Sequence, residues 1–264
     1  FNFATSATYI VNDVFDAKSD RLHPIKKFRP VASGRLPVTF AVIEGLGLAV
    51  LALLLAAGLN PLFYYTMLAY LGIQVLYSIG LKNIPILDIL IIATGFIIRV
   101  YAGAFVINAH LSVWFLLCVI SVALFLASGK RRAEFNMVRD TEAVTRKSLK
   151  RYKKELLNSY VTMFGNAAWM SWALFTFFES PKASLPVWLF LAELSRTTTI
   201  NKLLMVTIPI VIFGIMRYEY LIFEGRSEAP EKVLLTDKAL IITIVVWTTL
   251  IIWIFYGGVS TIGI

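Results

Sequence analysis

The residues best suited to chemistry are Asn12, Asp13, Asp16 and Asp20, in the stretch Asn12-Asp13-Val14-Phe15-Asp16-Ala17-Lys18-Ser19-Asp20-Arg21. On an α-helix Asn12, Asp16 and Asp20 fall at i, i+4 and i+8 and stack along one face over about two turns. Like charges at that spacing repel, so the face calls for a cation between them. Hard divalent ions such as Mg²⁺ take such oxygens, usually from one or two carboxylates, with phosphate oxygens of a substrate completing the shell. The alternative is a solvated helix end whose acids are offset by Lys18 and Arg21.

Other ionisable groups follow. Arg29-Pro30-Val31-Ala32-Ser33-Gly34, preceded by His23-Pro24-Ile25-Lys26-Lys27, reads as a turn after that helix. Lys26 and Arg29 are expected at a ligand, Lys27 and Arg35 at lipid headgroups, and Ser33-Gly34 is expected to offer backbone N–H groups to an anion. Tyr77 and Lys82 close an apolar run, either as an aromatic anchor with a snorkelling lysine or as ligand contacts. Asp88 begins the next run, where it favours a helix N-terminus or meets a ligand. Arg99 lies about three turns and roughly 16 Å deeper on the same face as Asp88. A charge at that depth is costly unless it is paired, with Glu44 the structural candidate, or meets a polar cavity.

Ser128-Gly129-Lys130-Arg131-Arg132-Ala133-Glu134 ends a further apolar run. A phosphate loop is excluded, because the strand and glycines that must precede Gly-Lys are absent. Lys130 and Glu134, four residues apart, are expected to face the interior, with some of their neighbours turned to water or headgroups, and the basic cluster is expected to bind phosphate. The basic run 146–154 reads as a solvated or lipid-facing helix.

The elements that must carry these residues are membrane helices. Of 264 residues 58% are hydrophobic and 14% aromatic, with a mean hydropathy of +0.76. About eight spans are expected, at 1–20, 38–59, 62–81, 89–107, 112–128, 157–178, 199–217 and 238–256. Gly58-Leu59-Asn60-Pro61 and Asn108-Ala109-His110 read as tight turns, and 181–196 as an interfacial segment anchored by Trp188. Twenty-one of the twenty-five Lys and Arg residues fall on one side of this pattern. The positive-inside rule puts that side, with the acidic stretch, in the cytoplasm and the chain in the cytoplasmic membrane. The net charge of +9 therefore reads as topology, with no nucleic acid as partner. The lone Cys118 allows no internal disulfide, and His23 and His110 have no zinc spacing. The whole chain, 1–264, reads as one domain, and a homo-oligomer is left open. It opens at Phe1 inside an apolar helix, so a preceding segment is expected.

Assembled, these residues resemble the UbiA superfamily of intramembrane prenyltransferases. The resemblance rests on Asn12-Asp13-x-x-Asp16-x-x-x-Asp20, Arg29-Pro30, Ser33-Gly34 and Tyr77-Ser78…Leu81-Lys82. It implies an all-α bundle of about nine spans, the first missing here, with Mg²⁺ held by aspartate-rich motifs above a lipid-accessible tunnel. One departure is informative: members usually carry a second Asp-x-x-x-Asp motif where this chain has Gly129-Lys130-Arg131-Arg132-Ala133-Glu134. That change is similar to the decaprenyl-phosphate phosphoribosyltransferase branch. So are Asp88…Gly95-Phe96-x-x-Arg99-x-x-Ala102-Gly103-Ala104 and Met216-Arg217-Tyr218…Pro230-Glu231-x-Val233-Leu234…Asp237.

The branch moves 5-phosphoribose from phosphoribosyl pyrophosphate (PRPP) to a polyprenyl phosphate and releases pyrophosphate. The resemblance implies Mg²⁺ on Asn12, Asp13, Asp16 and Asp20, with Asn12, Asp16 and Asp20 as the catalytic set. Substrate contacts are expected from Lys26, Arg29, Tyr77, Lys82, Asp88, Arg99, Lys130, Arg131, Arg132 and Glu134. Two other readings compete. One is a relative that moves a prenyl group to an aromatic or glycerol-phosphate acceptor, for which the second acidic motif is missing. The other is a transporter of anionic lipids or metabolites, for which no inverted repeat of broken helices is visible.

Overall fold

The computed structural model describes residues 1–22, 26–141, 149–179, 203–224 and 230–256. Its long elements are α1 (Asn2–Asp20), α2 (Val38–Ala57), α3 (Pro61–Ile79), α4 (Leu87–Ile107), α5 (Val113–Thr141), α6 (Lys154–Phe178) and α7 (Ile208–Phe223). A short α8 (Pro230–Thr236) and α9 (Lys238–Tyr256) follow, and there are no strands among the described residues.

Local chemistry sets the turns at the end of the bundle remote from the acidic stretch. Asn60 caps α3 by accepting the Leu62 N–H at 2.8 Å, with Pro61 in the first turn where its missing N–H costs nothing. The Asn60 amide also donates to the Phe105 carbonyl at 3.2 Å, tying the start of α3 to the end of α4. Asn108 ends α4 in the left-handed conformation, at φ 54°, as a C-terminal cap. The expected spans 38–59, 62–81 and 89–107 thus match α2, α3 and α4 closely.

Six helices among the described residues are long and apolar enough to cross a membrane: Val38–Ala57, Pro61–Ile79, Leu87–Ile107, Val113–Asn136, Leu203–Phe223 and Lys238–Phe255. The expectation of eight also counted α1 and α6. Both are long helices within the bundle, but their polar residues, such as Asp13, Asp16 and Asp20 in α1 and Asn158 and Asn166 in α6, keep them out of that set. The expected end of the fifth span at 128 is corrected too. Helix α5 runs on to Thr141, because Lys, Arg, Ala and Glu favour helix even where the apolar run stops. Helix α1 ends at Asp20, before His23-Pro24 as expected, while His23-Pro24 itself, the interfacial segment 181–196 and residues 146–148 of the basic run lie outside the described residues.

Neighbours in sequence are mostly neighbours in space: α1 packs on α2 and α3, α3 on α4, α4 on α5, α5 on α6, and α7 on α5, α6 and α9. Small residues allow these approaches. A Cβ on Gly129 of α5 would stand 2.9 Å from both Ile222 Cδ1 and Tyr218 Oη of α7. The C-terminal ends of α1, α3, α5 and α7 and the starts of α4 and α6 therefore meet at one end of the bundle. That end holds the polar residues singled out above.

Candidate active site

The acid face of α1 is real, and protein cations answer it. Lys82, from the 3-10 turn Leu81–Asn83 after α3, places Nζ 2.6 Å from Asp16 Oδ1 and 3.2 Å from Asn12 Oδ1. Arg29 Nη1 lies 2.8 Å from Asp13 Oδ1 and 2.9 Å from Asp20 Oδ2, bridging two turns of the helix. Lys82 is only 5% exposed, so it is no snorkelling anchor; the preceding Tyr77 is buried beside it in sequence. The repulsion that made a metal attractive on sequence grounds is thus already relieved by two side chains far away in the chain.

The loop after α1 is held by its own bonds. Ser33 and Gly34 spend their N–H groups on the Arg29 and Val31 carbonyls, at 2.8 and 3.3 Å, so the expected offer to an anion is corrected. Gly34 has φ 80°, the backbone region where a side chain is disfavoured, and this fixes glycine there. Arg35 donates to the Phe28 carbonyl at 2.6 Å, and Lys27 lies over the Phe28 ring. Lys26 reaches Glu134 Oε1 across the mouth at 3.9 Å.

A second network lies between α4, α5 and α6. Asp88 is fully buried in the first turn of α4. It accepts from Tyr152 Oη at 2.8 Å, and its other oxygen is 3.7 Å from Arg131 Nε. Arg131 also donates to Glu134 at 2.5 Å. Arg132 donates to Asn158 at 2.5 Å and to Asn136, and lies over the Phe223 ring. Arg131 and Arg132 are each 1% exposed. This corrects the expectation that some neighbours of Lys130 and Glu134 face water: Lys130 and Glu134 are half-buried, and the two arginines are more enclosed than either.

Tyr152 was missed in the sequence, where it sits inside a basic run read as solvated. Leu149 and Tyr152 are buried at i and i+3 among exposed cations, an apolar spacing that marks an inward face. The Tyr152 hydroxyl accepts the Ile86 N–H at 2.5 Å while donating to Asp88. Ile86 holds φ 73°, a strained conformation for a β-branched residue, two residues before Asp88. Burial pushes the Tyr152 phenol well above its ordinary value near 10, so it stays a neutral donor.

Arg99 stands apart. Its Nη2 donates to Thr5 Oγ1 and Tyr70 Oη, both at 3.1 Å, and the guanidinium lies 5.7 Å from the Tyr70 and Phe96 ring centres. The expected alternative partner, Glu44, is exposed on α2, so that pairing is corrected.

Among the described residues no group of three or more His, Cys, Asp or Glu side chains surrounds one point. An all-protein metal cage is therefore absent there. The oxygens of Asn12, Asp16 and Asp20 do fit the Mg²⁺ that binds through one or two carboxylates plus substrate phosphates.

Comparison with known proteins now bears on this geometry. The sequence profile of the UbiA prenyltransferase family matches residues 1–200. The chain belongs to the UbiA family. It is accordingly a transferase with a multi-pass membrane fold. It is 35% identical over 263 residues to the decaprenyl-phosphate phosphoribosyltransferase of Corynebacterium glutamicum, covering 97% of this chain and 74% of that one. The Mycolicibacterium smegmatis protein of the same name is 35% identical over 248 residues, covering 94% and 75%. Among solved structures, a UbiA homologue from Archaeoglobus fulgidus bound to GPP and Mg²⁺ has a TM-score of 0.67. It is 17% identical, covering 98% of this UbiA-family chain and 84% of that one. At that identity the likeness speaks for the fold.

Proposed function

We propose that the chain transfers 5-phosphoribose from PRPP to a polyprenyl phosphate. The observation that carries this is the pairing of two features. The relatives similar over nearly the whole chain are decaprenyl-phosphate phosphoribosyltransferases, and the run beside the acid face buries Arg131 and Arg132 instead of carboxylates. A donor with a pyrophosphate at one end and a phosphate at the other suits a mouth that joins acids on α1 to cations on α5.

In the displacement, an oxygen of the lipid phosphate bonds to C1 of the ribose. The C1–O bond to pyrophosphate breaks, and pyrophosphate leaves with the electron pair. The nucleophile is already an anion, so no strong base is needed. Asn12, Asp16 and Asp20 would hold Mg²⁺, with Asp13 beside them. When bound there, the ion neutralises charge building on the pyrophosphate. Lys82 and Arg29, which now rest on those carboxylates, are within reach of the same phosphates. Lys26, Lys130 and Arg131 supply further charge-assisted contacts, and Arg132 fixes α5 against α6. Catalysis is then mainly positioning and electrostatics. The positive-inside pattern supports a site facing the cytoplasm within the cytoplasmic membrane, carried by a single domain.

The test is to incubate the purified protein in lipid with labelled PRPP, Mg²⁺ and a polyprenyl phosphate. Lipid-soluble ribose phosphate should appear, and chelation should abolish it. Transfer of a prenyl group from a prenyl diphosphate to a phenolic acid, with no labelled lipid, would replace this reading by aromatic prenylation.

A further inference from the structure

One carboxylate of the mouth stands among the cations that the donor's phosphates would meet. Glu134 lies one turn after Lys130 on the same face of α5, and it accepts from Arg131 at 2.5 Å. Its Oε1 is 3.9 Å from Lys26 Nζ in the loop after α1, so the side chain reaches across the mouth. Arg131 serves a second acid, Asp88, and the two acids differ in access. Asp88 is fully buried and takes the Tyr152 hydroxyl. Glu134 keeps 18% of its side chain exposed, and its partner Lys26 keeps 25%. Asp88 is sealed in the packing, whereas Glu134 opens on the mouth.

A carboxylate at this place is a cost for a ligand that offers phosphate alone. It repels the arriving oxygens, and it draws on Lys26 and Arg131, two cations that those oxygens would use. The cost is offset where the ligand brings hydrogen-bond donors of its own. PRPP does so: between the pyrophosphate on C1 and the phosphate on C5 it carries cis hydroxyls on C2 and C3. A carboxylate only accepts, through two oxygens with about four lone-pair sites, so it takes two hydroxyls without releasing its cations. Hydroxyl bonds to a charged oxygen are of the shorter and stronger kind. Dinucleotide-binding folds set an acidic side chain on ribose hydroxyls by the same chemistry. A prenyl diphosphate has no such hydroxyls, and nothing in it offsets the charge.

We propose that Glu134 accepts hydrogen bonds from the 2- and 3-hydroxyls of the donor's ribose, and thereby selects a sugar diphosphate over a prenyl diphosphate. The proposal rests on the phosphoribosyl reading and names a determinant of donor choice within it. The position suits the ring. Pyrophosphate on the α1 carboxylates and a 5-phosphate at Lys130 leave C2 and C3 between them. Glu134 is paired with one cation from each side, Lys26 from the loop after α1 and Arg131 from α5. Each cation faces a different carboxylate oxygen, which fixes the orientation of the group before a ligand arrives. The competing role is a tie between Lys26 and Arg131 that touches no ligand.

The experiment compares wild type, Glu134→Gln and Glu134→Ala, each purified in lipid. Equilibrium dissociation constants are measured with Mg²⁺ for ribose 5-phosphate, 2-deoxyribose 5-phosphate and pyrophosphate. Wild type should hold ribose 5-phosphate roughly ten- to hundred-fold tighter than the 2-deoxy analogue, which lacks one hydrogen bond to a charged group. Glu134→Gln should narrow that ratio to about three-fold and Glu134→Ala to about two-fold or less. The pyrophosphate Kd should move by no more than about three-fold in either variant. A Glu134 that only ties Lys26 to Arg131 would shift the three constants together and leave the ratio unchanged, which overturns the inference. A wild-type ratio near one overturns it too, whether or not the variants fold. Wild type that forms labelled lipid from PRPP, with the ratio unchanged in the variants, defeats the inference alone. Wild type that forms none defeats the phosphoribosyl reading, and the binding ratio still judges Glu134.

Discussion

The mouth and the surroundings of Arg99 handle charge in opposite ways. At the mouth Asp13, Asp16, Asp20 and Asp88 each rest on a protein cation, contributed by Arg29, Lys82 or Arg131. Deeper in the bundle Arg99 meets hydroxyls and aromatic faces among the described residues. Charges paired within the protein already have a reason to be there, since they hold the loop after α1 and the turn after α3 on α1, and α5 on α4. A substitution at the mouth is therefore first a change in stability.

The largest effect should come from breaking the mouth where pairing and metal binding coincide. Asp16→Asn leaves Lys82 buried without its counter-charge, a loss of roughly 3–5 kcal/mol, and removes a magnesium ligand as well. The double variant Asp16→Asn/Lys82→Gln removes the stranded charge. Folded protein, followed by size exclusion and melting temperature, should return in the double variant. Turnover should stay down by ~10³-fold or more in both, because Lewis-acid stabilisation is worth several kcal/mol. Normal turnover in the double variant would mean that Asp16 serves only Lys82, and the magnesium assignment would fall.

Much of the frame was legible in the sequence, and the reason is physical. Apolar runs bounded by Gly58, Asn60-Pro61 and Asn108 fix α2 to α4, because bilayer thickness and turn chemistry act locally. The acid face was legible for the same reason, as helical periodicity on one element. The counter-charges were not: Lys82 is 66 residues from Asp16, and Arg29 is 16 from Asp13. Hydropathy also misjudges Arg131 and Arg132. It scores them as surface, whereas Asp88, Asn136 and Asn158, on three helices, make burial tolerable. Tyr152 was hidden by its basic neighbours.

A second substitution sharpens the comparison by asking whether a half-buried mouth cation touches ligand. Lys130→Gln should raise the PRPP KM or lower turnover by roughly ten- to hundred-fold, the loss of one charge-assisted hydrogen bond of about 1.5–3 kcal/mol. Lys153→Gln, at an exposed cation before α6, should change neither by more than about two-fold. Steady-state kinetics of both, with membrane orientation checked, separate a ligand contact from a topological charge. Equal small effects would leave Lys130 as part of the positive-inside pattern only.

The smallest effect expected is at Tyr152, a neutral member of the mouth. Phenylalanine keeps the ring in its buried seat but removes the hydroxyl that bonds Asp88 Oδ1 and the Ile86 N–H. The cost should be about 1–3 kcal/mol of stability, seen as a lower melting temperature at neutral pH. Turnover should fall only as far as Asp88 and the strained Ile86 turn shift. The alkaline limb gives an independent check. Burial raises the folded-state phenol above its unfolded value near 10, so its stabilisation is complete below pH 10. It is lost as pH climbs past 10, because the unfolded chain gives up that proton first. Wild type should therefore lose melting temperature more steeply above pH 10 than Tyr152→Phe, and the two curves should converge. Parallel curves would mean that the hydroxyl is not held as the donor to Asp88, and the mouth would then owe its order to its ion pairs alone.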